Sequence, residues 1–480
     1  MLLLRCAAAA LLLVLTGCVL GPEHVAPEMS LPGEFDESGS KRNGDVGTAA
    51  WWAAYKDGKL DSLIKMGFDQ NLTVQQAVER INSASAGVTT AGAGALPTLD
   101  VGASHTVSGE MGKARQQVLT KNLSRSQLSL SWLLDLFGIY KRSKEGAIAS
   151  LDSAYAGADV AKLAYIQEIV SSYIDLRYYQ QRLALSKANL KSRQETYVLT
   201  KFQLEAGAAS RLDVVQAEGL VQSTRAEIPG FETKIRVSAH HIATLIGQPA
   251  GILVDDLLRG SGQPTFWGGI SPGIPADLIR NRPDIRQSER NLAAATAQIG
   301  VAQAQLYPSI TLSGSISPSF TNERGLHGGL SAWSFGPSLS LPILDGGRLL
   351  ADIKVAKSEA AVSYLTWKQS VLTAIEQVEN ALSAVRRDAR TVVALRALVR
   401  TTQETLELST ASYKDGASSL LDVLDAQREV SLAQASLAVA VQEMAKDYAA
   451  LNVTTGGGFA YVDKASNAAP LKSPTVRRDP

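Results

Sequence analysis

The sequence predicts a mixed α and β fold in which one unit is written twice: a strand hairpin followed by a long α-helical hairpin. Three observations point there. The phrase GAASRLDVVQAEG at 207–219 returns without a gap as GASSLLDVLDAQR at 416–428, 209 residues later. Four stretches alternate apolar with small polar residues at a period of two, which is the strand pattern. Two proline-free runs of about 65 residues carry apolar residues in helical, partly heptad, spacing.

The N-terminus reads as a targeting segment. Arg5 precedes an apolar run, Cys6 to Leu15, that is too short to span a bilayer. LTGC follows at 15–18, the pattern of a bacterial lipoprotein signal, so residues 1–17 read as signal peptide and Cys18 as the lipid anchor. The alternative is an ordinary signal peptide that contains a cysteine. Acyl chains on Cys18 would anchor the chain at ~0.8 kcal/mol per buried CH₂. Val19 follows, and lacks the charge that favours retention at the inner membrane. Cys6 and Cys18 are the only 2 cysteines, so the rest of the chain has neither a disulfide framework nor a cysteine metal site. A net charge of +1 over 480 residues gives no sign of nucleic-acid binding. No apolar run reaches the length of a spanning helix, so a membrane crossing would have to use strands.

Next come the elements in order. A segment at 18–70 leads to a first unit, 71–247, with strands at 98–108 and 123–133. On the first, Leu99, Val101, Ala103 and Val107 share a face; on the second, Leu128, Leu130 and Trp132 do. Polar loops are expected around 109–122 and 318–330. Helices follow at 139–206 and 211–246, then a linker at 248–281. The second unit, 282–456, has strands at 309–317 (Ile310, Leu312, Ile316) and 333–341 (Trp333, Phe335, Leu339, Leu341), the last backed by Ser334, Gly336, Ser338 and Ser340. Its helices are expected at 347–414 and 420–454. The first carries a heptad seam at Val371, Ile375, Val378, Leu382, Val385, Ala389 and Val392. Residues 457–480 read as a disordered tail. Gly138 and Gly247 also recur 209 residues on, as Gly347 and Gly456, whereas LPTLDV at 96 and YPSITL at 307 are 211 apart. A two-residue length change therefore falls in the strand hairpin.

The repeated phrase marks the tip of each helical hairpin. Gly207 and Gly416 fit the left-handed position that ends a helix. Ser210 with Asp213, and Ser419 with Asp422, have the capping-box spacing that starts the next.

Four strands cannot close a barrel, which needs about eight. An open edge in lipid leaves backbone groups unpaired at several kcal/mol each. A membrane role therefore requires chains to pool strands, and three would supply about twelve. The soluble alternative is a periplasmic coiled-coil scaffold lipoprotein with a small packed sheet.

The chain resembles the outer-membrane factors of the TolC/OprM/NodT family, in their lipoprotein branch. The segments that carry the resemblance are LTGC at 15–18, GPEHVAP at 21–27, WWAAYKDGKLDSLI at 51–64, RNRPDIRQSE at 280–289 and LLDVLDAQR at 420–428. The resemblance implies a homotrimer with one 12-stranded β-barrel in the outer membrane, continuous with an α-helical tunnel in the periplasm. It makes 18–70 and 248–281 periplasmic, equatorial segments. It implies passive export of small molecules as the exit of a tripartite pump, with a periplasmic adaptor (membrane fusion protein) and an inner-membrane pump, often of the resistance–nodulation–division class, as partners. The exit of a type I protein-secretion system is the alternative within the same architecture. The resemblance also places the closed periplasmic gate at Leu421, Asp425 and Arg428, and adaptor contact at the tips, Gly207, Ser210, Gly416 and Ser419.

On residues alone, Leu421, Asp425 and Arg428 form one stripe at i, i+4 and i+7, and Asp425 stands near a helix N-terminus, where a carboxylate is favoured. Two readings of Asp425 follow: a threefold carboxylate ring of the kind that narrows pores, or an ordinary ion pair with Arg428 of small energetic value. The first repeat has Gln216 and Gly219 instead and cannot build such a ring. Trp132 and Trp333 read as matching interface aromatics of a barrel. His240 and His241 point about 100° apart with no ligand cluster, so no metal site is expected. His105 reads as a wall position. Trp51 and Trp52 read as packing groups, with a carbohydrate platform as the alternative. TTGGGFA at 454–460 lacks the lysine and setting of a phosphate loop. No nucleophile–base pair is present, so neither an enzyme nor a cofactor is expected.

Overall fold

The structure, a computed structural model, describes residues 19–37, 50–112, 115–260, 262–266, 275–323 and 326–460. The signal peptide, Cys18 and residues 461–480 lie outside them. After a 3₁₀ turn, Trp51–Tyr55, come α1 (Gly58–Gln70), α2 (Leu72–Ala93), β1 (Thr98–Gly112), β2 (Arg115–Leu134), α3 (Ile139–Glu205), α4 (Arg211–Leu245), α5 (Val254–Leu258), α6 (Pro275–Asn281), α7 (Pro283–Ala304), β3 (Ser309–Glu323), β4 (Leu326–Ser340), α8 (Arg348–Lys414) and α9 (Leu420–Thr454). No described helix is long and apolar enough to cross a membrane.

The duplication is visible in the element lengths. Helices α3 and α8 each have 67 residues, α4 and α9 each 35, α2 and α7 each 22. A 67-residue helix is about 100 Å long. The chain divides into two compact units: one of Met1–Glu28, Arg80–Tyr155 and Gln287–Gln369, the other of Met29–Glu79, Ala156–Arg286 and Ser370–Pro480.

The first unit holds the sheet, in the order β1-β2-β3-β4, every neighbour antiparallel. The strands run well past the expected ends, and most of 109–122 and 318–330 is strand. Their many glycines and polar residues, with Pro318, resemble a loop in sequence, yet an antiparallel hairpin pairs its own backbone whatever its side chains. Pro318, which has no N–H to give, lies in β3 where the pairing to β2 is interrupted between Ile316 and Ser319. Beside the sheet, the first described residues are tied to the start of α3. Arg142 donates from Nε to the Leu20 carbonyl at 2.9 Å and from Nη2 to the Gly21 carbonyl at 3.0 Å. His24 Nε2 meets Glu289 Oε1 at 2.5 Å.

The second unit has the larger core. Trp51, Trp52, Tyr55, Leu60, Leu63 and Ile64 pack on Ile166, Ile169 and Tyr173 of α3, Ile242 of α4 and Tyr448 of α9. Trp51 and Trp52 are buried edge to face, with Trp51 Nε1 donating to the Gly457 carbonyl at 3.1 Å, so they serve packing. This corrects the expected start of the tail: Gly457 to Phe459 belong to the core, with Phe459 under the Arg286 guanidinium at 5.2 Å. Gly458 lies so close to Trp52 that an added Cβ would meet its ring at 2.7 Å, which accounts for the glycine run in TTGGGFA. The heptad seam of α8 is buried at Val371, Val378, Leu382, Val385 and Val392, but Ala389 is exposed.

Candidate functional site: the sheet face and the hairpin tips

Register turns four alternating strands into one apolar face. Ile310 pairs with Leu134 and Leu339; Leu312 with Trp132 and Pro337; Leu130 with Leu99 and Gly314, and Gly314 with Phe335; Leu128 with Val101 and Ile316, and Ile316 with Trp333. These are successive rows, two residues apart, the first two across β2, β3 and β4 and the last two across all four strands. Trp333 is 79% and Val101 78% exposed, so among the described residues nothing covers them. The opposite face carries Asp100, Ser129, Ser315 and Ser334 in one row, with Ser315 and Ser334 hydroxyls 2.9 Å apart. Among the described residues, sheet edges β1 and β4 are both unpaired.

The two tryptophans are not at matching positions. Trp132 is level with Leu312 and Pro337, while Trp333 is four residues further along, level with Ile316. Trp132 is near the helix end of its strand and donates from Nε1 to the Ala95 carbonyl at 3.0 Å. The position equivalent to Trp132 in the second repeat, 209 residues on, is Leu341, so the two tryptophans are not repeat counterparts. An aromatic residue that sequence reasoning missed, Phe320, stands at the far end of the face, level with His105 and Ser124, whose side chains are 2.9 Å apart. It was hidden because Pro318 made its segment read as a loop.

The helical tips, in the second unit, are near-copies of each other. Gly207 has φ 76° and Gly416 φ 73°, left-handed values that a Cβ disfavours. Around them Ala208 N donates to the Gln203 carbonyl at 2.7 Å and Gly207 N to that of Leu204 at 2.9 Å. Ala417 N likewise reaches Ser412 at 2.8 Å and Gly416 N reaches Tyr413 at 3.1 Å. This is the Schellman pattern. Ser210 and Ser419 then start the next helices with reciprocal capping boxes to Asp213 and Asp422. The two hairpins meet through Ala217, Tyr413, Leu420, Val423 and Leu424, and the Tyr413 hydroxyl bonds to Gln203.

On α9 the buried and exposed residues sort by face. Val423, Leu424 and Gln427 are buried, whereas Leu421, Asp425 and Arg428 form an exposed stripe. Arg428 Nη1 donates to Asp425 Oδ1 at 2.6 Å, with both side chains 53% exposed. The geometry thus contains the local ion pair, and leaves the stripe free to face a lumen. Behind it is a buried polar seam that sequence reasoning missed. Gln427 Nε2 donates to Thr196 Oγ1 at 2.8 Å, and Arg193 binds Thr224 and, at 3.1 Å, Ser431 Oγ. Burial lowers the Arg193 pKa, opposed by Glu227 and reinforced by Arg428. The signal was present: Ser192, Thr196 and Thr200 recur every four residues on α3, one polar stripe. A groove of about 300 Å³ opens beside it, lined by Arg182, Arg193, Glu227 and Arg428 among others. Elsewhere in this unit, His241 pairs with Glu168 at 3.0 Å. Among the described residues no group of His, Cys, Asp or Glu is arranged to hold a metal ion.

The comparisons with known proteins agree with this architecture. The family model described as "Outer membrane efflux protein" matches residues 63–248 and 274–457, the two repeats. The chain is 62% identical over 454 residues to nodulation protein T of Rhizobium leguminosarum bv. trifolii, covering 94% of this chain and 97% of that protein. It is 31% identical to outer membrane protein OprJ of Pseudomonas aeruginosa, over 88% of this chain and 89% of that one. The solved outer-membrane channel OprN superposes with a TM-score of 0.82 at 30% identity, over 92% of this chain and 100% of that one. The open MtrE outer membrane channel of Neisseria gonorrhoeae gives 0.79 at 28% identity, over 92% and 99%. A duplicated strand and helix hairpin, an uncovered apolar sheet face and these likenesses converge, and the chain belongs to the outer membrane efflux protein family, with a TolC-like fold.

Proposed function

We propose that this protein is the outer-membrane exit channel of a tripartite efflux pump, passing small molecules delivered through a periplasmic adaptor by an inner-membrane pump, most simply of the resistance–nodulation–division class. The observation that carries this is the sheet: a continuous apolar face, uncovered, with two open edges. Edges in lipid must pair, and a homotrimer pairs β4 of each chain with β1 of the next to close 12 strands. The periplasmic scaffold alternative leaves that face exposed to water, which its area disfavours. The paired tips, Gly207 to Ser210 and Gly416 to Ser419, would meet the adaptor.

In this trimer Leu421, Asp425 and Arg428 face the axis, and three Asp425 carboxylates make a cation-attracting constriction. The lipid anchor fits the same arrangement. Leu20 N donates to the Phe137 carbonyl at 3.4 Å, where β2 gives way to α3. An acyl group on the residue before Val19 would therefore enter the leaflet at the foot of the barrel. The test is reconstitution in planar bilayers. Wild-type protein should form cation-preferring channels of low conductance, and Asp425→Ala should raise conductance and weaken the preference. Absence of any channel would overturn the function, and unchanged conductance and selectivity in the variant would remove Asp425 from the gate.

A further inference from the structure

The packed seam of α8 departs from the heptad at two points, with Ala374 buried beside a half-buried Ile375 and Asp388 inward of Ala389. The heptad places Ala389 toward α9, but Ala389 is exposed and Asp388 lies on the packed side instead, between the buried Val385 and Val392. Its Oδ2 is buried with no hydrogen-bond partner. Asp447 of α9, three residues past the buried Met444, is within hydrogen-bonding reach of Asp388. Val392, Val441 and Met444, with Phe266 and Leu395 against them, form an apolar cluster on these same two helices. The remaining charge acting on Asp447 is Glu443, also negative. Nearby cations are engaged or turned away. Lys446 pairs with Asp175 of α3 at 2.6 Å, Arg386 and Arg387 pair with Glu37 at 3.2 and 3.0 Å, and Arg390 is exposed. A buried carboxylate oxygen without a partner, beside a second carboxyl, is explained by one proton.

We propose that Asp388 and Asp447 hold one proton between them, and that its release drives α8 and α9 apart at this level, giving the tunnel a response to the pH around it. The proton concerns the chain alone; its effect on the tunnel rests on the channel reading above. Burial, then Asp388 and Glu443, push the Asp447 carboxyl up to about 7. The folded chain therefore binds more protons than the unfolded one from about pH 4 to about pH 7. Stability is fully present below that window, falls as pH rises through it, and is level above it.

Infrared difference spectra of the full-length protein, wild type minus Asp447→Asn, test the proton directly. The expected result is a protonated-carboxyl carbonyl band present near pH ~5.5 that fades with a midpoint near pH ~7. It should vanish equally in Asp388→Asn, which also guards against a misfolded single variant. No band at low pH, or a band retained in both variants, overturns the proposal. Hydrogen exchange tests the consequence. At about pH 8 the amides of 385–392 and 441–448 should exchange about tenfold faster in wild type than in Asp447→Asn, and equally at about pH 5.5. Equal exchange at both values overturns the separation of the helices. Absent conductance with the band intact would sink the channel reading and not the shared proton.

Discussion

Ile316 and Ser315 are adjacent in β3 yet point to opposite faces of the sheet, which makes them a matched pair for a charge test. Ile316 is in the row of Val101, Leu128 and Trp333, Ser315 in the row of Ser129 and Ser334. Along the strand Ile316 is about 20 Å from Ile310 and about 13 Å from Phe320, so it falls inside an apolar band of about 25 Å even after tilt. An arginine near the bilayer midplane costs ~2–4 kcal/mol. A trimer repeats it three times, so Ile316→Arg should cost roughly 6–12 kcal/mol per barrel, of the order of a whole domain's stability. Ser315→Arg faces the lumen and should cost less than about 1 kcal/mol. If the sheet were soluble, Ile316 is already 53% exposed and its replacement would change stability by no more than about 0.5 kcal/mol. Equilibrium folding into phosphatidylcholine vesicles, titrated with urea, reads the difference, and heat-resistant trimer in outer-membrane fractions checks it in cells. Equal behaviour of the two variants would refute the assignment of the lipid face and with it the closed barrel.

The other expectations are simpler. Cys18→Ala should lose its acyl group and still fractionate with the outer membrane, because the barrel inserts by its own face; recovery in the soluble periplasm would count against a barrel. Ser419→Ala and Ser210→Ala should each destabilise a hairpin tip by ~1 kcal/mol. Because the two capping boxes share one geometry, hydrogen exchange in the first turns of α9 and α4 should rise by similar factors. A loss confined to one tip would mean that capping does not set tip stability.

Much of the architecture was legible because the residues that fix it act locally. A glycine forced to positive φ, a serine three residues before an aspartate, and a period of two or 3.6 each read out at a distance of a few residues. What sequence hid was decided between elements. The strand extensions lack a regular apolar alternation, and only the partner strand reveals them. The levels of Trp132 and Trp333 depend on the register of β2, β3 and β4, which no single strand shows. The seam shift from Ala389 to Asp388 goes against hydrophobicity, so the heptad pattern alone does not show it. Gln427, polar and inside LDAQR, is buried against Ser192 and Thr196, a contact between helices that its own segment does not show.

The two repeats share backbone and diverge in side chains, and the burial of α4 and α9 explains where. Leu212 and Leu421, equivalent positions, are both exposed. One turn on, Val215 of α4 is 49% exposed while Leu424 of α9 is 4%. Within one chain α9 is therefore packed on flanks that α4 leaves open, with Leu212, Val215 and Val237 uncovered. A closed threefold ring has no such asymmetry of supply, because the next chain fills the open flank. Equal helix lengths and matched caps are what that closure demands of both copies, since six hairpins must end at one level. Nothing in closure demands equal chemistry on the stripe that we propose to face the axis. Gln216 and Gly219 in one copy, against Asp425 and Arg428 in the other, are then free to differ. The charge sits in the copy whose neighbours in the same chain already hold it, through Gln427 and Ser431, against α3. A constriction needs fixed groups, and α9 is the helix that the chain fixes by itself.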